Sequence, residues 1–194
     1  QELMLLAAHD DDSFARYEAM QELMVGHLVA AANGNLSEDA RAAGANAIAT
    51  AMRAIVTDDQ LDDSIRGELM VLPTTTYLFE QFDKADPDAI HREREGLKAM
   101  LARTLAGELA ALYDRAEKVP FDGDDARGAR KVKSLALGFI AASNPSRAAA
   151  LAAAQYDAAD NMTERPGALG VLAGLANPLR AAKRADFHGR DKGN

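Results

Sequence analysis

The chain has 194 residues, no cysteine, and 22 basic against 30 acidic residues, a formal charge of -8. That excludes disulfides and thiolate metal sites and argues against a basic nucleic-acid-binding surface. Aromatics make up only 5% and alanine roughly a fifth, a balance that favours packed helices over sheet, and no apolar run reaches the ~20 residues that span a bilayer.

Residues 1–12 read as a lead-in segment and turn, and 13–194 as one helical domain. Three consecutive carboxylates, Asp10, Asp11 and Asp12, suit a solvated turn, where an Asp or the following Ser13 can cap a helix. Phe14, Tyr17, Met20, Leu23 and Met24 then recur at helical spacing as one apolar stripe. That helix ends near Asn33-Gly34-Asn35. Ser37 caps a second, with Ala40, Ala43, Ala47, Ile48, Ala51, Met52 and Ile55 as its buried stripe.

Asp62, Asp63 and Ser64 offer caps for a short helix that stops before Pro73, and Thr74 to Phe82 reads as another. Asp86-Pro87 is a cap followed by proline at the first helical position, opening a helix that runs to about Lys118 unless Gly96 bends or breaks it. A turn over Pro120 to Asp124 precedes a helix with Val132, Leu135, Phe139 and Ile140 inward, ending at Ser143-Asn144-Pro145. Arg147 to Ala159 is alanine-rich. Thr163 caps the next helix, with Pro166 in its first turn, and Asn177-Pro178 repeats the cap-and-proline signature for the last. Roughly nine helices with short links give an all-α fold of antiparallel neighbours.

Several segments resemble, in order, the C-terminal helical domain of bacterial aminopeptidase N, of the gluzincin zinc-peptidase family. They are His9-Asp10-Asp11-Asp12-Ser13-Phe14-Ala15-Arg16-Tyr17-Glu18, Leu72-Pro73, Tyr77-Leu78-Phe79-Glu80, Asp86-Pro87-Asp88-Ala89-Ile90, Asp160-Asn161-Met162-Thr163, and Phe187-His188 with Asp191. Tyr17 stands where the family usually has Trp. The resemblance implies a superhelical stack of antiparallel helix pairs, an armadillo- or HEAT-like α-solenoid, in which further helices would follow residue 194.

The family's zinc helix, His-Glu-x-x-His, is absent, because none of His9, His27, His91 and His188 has another histidine at that spacing. So is the Gly-x-Met-Glu-Asn amine-binding segment. The resemblance therefore implies no catalytic residue and no metal ligand in this chain, with zinc held by the parent enzyme. It implies a cytoplasmic protein whose partners are the catalytic domain of the same polypeptide and the parent's peptide substrates, with no nucleic acid and no membrane. In that setting the chain covers the active site and limits access. The alternative is a free-standing helical scaffold or adaptor.

His9, Asp12, Phe14, Arg16 and Tyr17 are the candidate interdomain docking residues, since arginine and aromatics are enriched in interface cores. The competing reading puts Phe14 and Tyr17 in the domain's own core. His91 and Glu95, one turn apart, could ligate a metal but read better as part of a salt-bridge row with Arg92 and Arg94. Asp10 to Asp12 lack the spaced ligands of a calcium loop. Arg127, Arg130, Lys131 and Lys133 could attract an anion, though such clusters usually mark a solvated face.

Overall fold

The computed structural model describes residues 2–10, 12–120, 122–123, 125–159 and 164–191. Among these it contains eleven α-helices and no strand. They are α1 (Glu2–His9), α2 (Ser13–Ala32), α3 (Glu38–Thr57), α4 (Asp63–Met70), α5 (Thr75–Phe79) and α6 (Pro87–Thr104), then α7 (Ala106–Ala116), α8 (Ala126–Ser143), α9 (Pro145–Ala158), α10 (Glu164–Gly174) and α11 (Leu179–Asp191).

Caps stand where short polar side chains can satisfy the free amides of a helix start. Asp12, Ser37, Asp62, Thr74, Asp86 and Asn144 each accept from an amide of the first turn. Asn177 accepts from the amides of Leu179 and Arg180. The α2–α3 link turns at Gly34, whose φ of 70° is a left-handed conformation that a Cβ disfavours. The expected Thr163 cap and the turn residues Asp11, Phe121 and Asp124 lie outside the described residues.

Two helices were not expected. Residues 2–9 of the lead-in form α1, which packs on α2 and α3. The long helix expected from Pro87 is two helices, broken at Leu105 (φ -111°, ψ 22°). Gly96 lies mid-helix with only open space where a side chain would project. Tertiary contacts set the break: Leu105 is fully buried. Across it, Arg53 donates to the Thr104 carbonyl (3.0 Å) and the Glu108 carboxylate (2.7 Å).

The helices stack progressively. α1 touches α2 and α3, α8 sits centrally against α4, α6, α7, α9 and α10, and α11 touches only α9 and α10. One continuous apolar core runs from Ala7 to Leu172. At the α4–α8 crossing the backbones approach closely, since a Cβ on Gly128 would lie 2.6 Å from the Ser64 amide nitrogen. The expected α3 stripe is buried only from Ile48 onward, while Ala40 and Ala43 are exposed.

Candidate functional site

The α1–α2 corner carries the candidate docking residues, and α2 sorts them onto opposite faces. Its inward stripe is Arg16, Ala19, Met20, Met24, Leu28 and Ala31. Phe14 and Tyr17 fall off that stripe and are 68% and 37% exposed, so the expected core placement of both is corrected. Asp12 is exposed and caps α2 by accepting from the Phe14 amide at 2.9 Å. His9 closes α1, and its side chain lies outside the described residues.

Arg16 is buried because α1 needs it. The last carbonyls of a helix have no partner within it, and Arg16 donates to those of Ala7 (3.3 Å) and Ala8 (3.0 Å). Its remaining arm meets Asp58 at 3.3 Å. A cation at this position also complements the negative end of the helix.

A second buried arginine, missed from the sequence, extends this lattice. Arg66 donates to the carbonyls of Ile55 (2.5 Å), Val56 (2.9 Å), Asp58 (2.7 Å) and Leu61 (2.9 Å) and to Asp63 (2.9 Å). It thereby satisfies the C-terminal end of α3 and fixes the turn into α4. Arg115 from α7 reaches the same Asp63 oxygen at 2.6 Å. Burial raises the Asp63 carboxyl, but hydrogen bonds from Arg115 and Arg66 outweigh it and hold the group below the usual carboxylate range. The only sequence signal was Asp63 and Arg66 three residues apart, which looks the same as a surface ion pair.

Outside this corner α2 is open. Of the six strongly exposed large apolar side chains among the described residues, Phe14, Tyr17 and Tyr77 gather here. Two clefts meet at Tyr17. One, of about 360 Å³, lies between Phe14 and Ile65, with Leu69 behind. The other, of about 760 Å³, lies between α2 and residues 71–77, rimmed by Glu18, Glu22 and Tyr77. Contiguous exposed apolar surface of this kind marks interaction sites.

Several of the remaining charged candidates are paired off. Glu95 holds Arg94 at 2.6 Å, and Glu93 pairs with Arg41 and with Arg92. The basic cluster on α8 is split: Lys131 pairs with Glu68, and Lys133, 7% exposed, pairs with Glu164 at 2.9 Å. No group of three or more His, Asp or Glu among the described residues could hold a metal, so these residues do not fit the zinc implied for the parent. No helix among them is long and apolar enough to cross a membrane.

The family described as "Domain of unknown function (DUF3458_C) ARM repeats" matches residues 1–194. Aminopeptidase N of Escherichia coli K12 is 28% identical over 188 residues, 96% of this chain and 22% of that protein. Aminopeptidase N of Caulobacter vibrioides is 27% identical over 186 residues, 95% of this chain and 21% of its own length. In both the match falls in the C-terminal region. A crystal structure of Legionella pneumophila aminopeptidase A in complex with aspartic acid shares the fold (TM-score 0.81, 22% identity), covering 97% of this chain and 23% of that one. This chain therefore spans about a fifth of the length of the curated relatives it matches.

Proposed function

From the premise that this chain belongs to the DUF3458_C ARM-repeat family, we propose that it is the C-terminal helical domain of a cytoplasmic zinc aminopeptidase. In this reading it covers the active-site cleft of a catalytic portion in the same polypeptide and limits which substrates enter. The observation that carries the reading is the end-to-end match to the C-terminal regions of two aminopeptidases N. The chain's part is steric. A rigid stack of helices over a cleft admits a short peptide and turns away a folded protein, while the chemistry belongs to residues outside this chain.

Phe14 and Tyr17 form the docking contact, with Asp12 and His9 at its edge. Arg16 acts from behind, holding α1 against α2 so that the outward aromatics keep their place. The absence of cysteine suits a reducing compartment.

The test is an alanyl anilide assay on this chain with added zinc, beside the full polypeptide that encodes it. The reading expects turnover only by the full polypeptide, whose preceding segment carries His-Glu-x-x-His. Zinc-dependent turnover by this chain alone, or a reading frame without that motif, overturns it.

A further inference from the structure

The two clefts that meet at Tyr17 differ in charge. In the Phe14 cleft the one carboxylate, Glu68, is already neutralised by Lys131. The larger cleft has Glu18 and Glu22 one helical turn apart on α2, and no lining residue is basic. Neither carboxylate has a hydrogen bond or ion pair among the described residues, nor does either phenol oxygen of Tyr17 and Tyr77. The floor is apolar and fixed: Leu72 and Pro73 are buried, and Gln21 donates to the Val71 carbonyl at 3.1 Å. Gly26 leaves the α2 wall open, with nothing within 4 Å of where its Cβ would be.

We infer that this larger cleft binds an extended peptide carrying lysine or arginine, with its cations between Glu18, Glu22 and the Tyr77 ring. Two unneutralised carboxylates attract such a group, the ring face adds cation–π attraction, and the apolar floor takes the intervening side chains. A volume of about 760 Å³ accommodates several residues of extended chain. The cleft shares Tyr17 with the docking contact. Its role as a subsite for basic peptide substrates rests on the peptidase reading, whereas the binding preference itself does not.

Fluorescence anisotropy with this chain and two labelled hexapeptides, one alternating lysine with leucine and one alternating glutamate with leucine, tests the preference. The lysine peptide should bind about tenfold tighter at low salt, with the gap closing as salt is raised. Glu18→Gln combined with Glu22→Gln should remove most of that gap, and Tyr77→Ala should weaken the lysine peptide about threefold. Equal binding of both peptides, or a preference that survives the double substitution, overturns the inference. In the full polypeptide the double substitution should lower the ratio of kcat/KM between basic and acidic substrates. If it instead releases the domains from one another and leaves that ratio intact, the cleft belongs to the interdomain contact and the inference fails. A full polypeptide with no peptidase activity, together with a retained lysine preference, removes the peptidase reading and keeps the site.

Discussion

The two faces of α2 treat polar and apolar groups in opposite ways. Inward, a guanidinium is buried at Arg16; outward, Phe14 and Tyr17 stand in solvent beside the open carboxylates of Glu18 and Glu22. The inward charge is stable because every arm meets an acceptor, namely two α1 carbonyls left without a partner inside their helix and the Asp58 carboxylate. The outward aromatics satisfy nothing in this chain. One face completes the domain, and the other is shaped for something else.

Breaking the inward lattice should do the most damage. Arg66→Met leaves the carbonyls of Ile55, Val56 and Leu61 without their donor and Asp63 with one partner fewer, and should cost about 3–5 kcal/mol in urea unfolding. A cost below about 1 kcal/mol would remove the lattice from the account. The same lattice sets the acid limit. The Asp63 carboxyl, held below its ordinary 3.8 by a balance in which the two arginines outweigh burial, contributes stability above that value and loses it as pH falls through the folded value. His27, pushed below 6.5 mainly by burial and then by Arg41 against Glu93, gives a milder loss that begins at higher pH, as acid forces a charge onto the half-buried ring. Asp63→Asn should flatten only the more acidic limb.

Glycine position sharpens the comparison. Gly128→Ala drives a Cβ into the backbone of Asp63 and Ser64 and should cost about 1–3 kcal/mol, while Gly96→Ala meets open space and should stabilise by about 0.5–1 kcal/mol. Equal thermal shifts for the two variants would contradict the α4–α8 crossing. On the outward face the smallest change is expected: Phe14→Ser should stay within about 0.5 kcal/mol in this chain yet ease proteolytic separation of the domains in the full polypeptide.

How much of this was legible depended on range. Caps at Asp12, Ser37, Asp86 and Asn177 could be read because capping is local, and so could Pro87 at a helix start. The break at Leu105 could not, because Arg53 holds it from a different helix, and glycine propensity pointed to Gly96 instead. Periodicity placed Phe14 and Tyr17 on a helix but not on its outer face, since a stripe starting at Arg16 looks polar from composition alone. The docking residues came from resemblance and residue type; the acidic cleft needed Tyr77, some 60 residues further along, brought opposite Tyr17.

The most direct test of the covering role compares two substrates of the full polypeptide that share an N-terminal alanine: an anilide and a folded protein. The account predicts rapid release from the anilide and almost none from the folded protein, with Phe14→Ser and Tyr17→Ser together raising the folded protein's share as the cover loosens. Release of alanine from both at comparable kcat/KM by the unaltered polypeptide would contradict it.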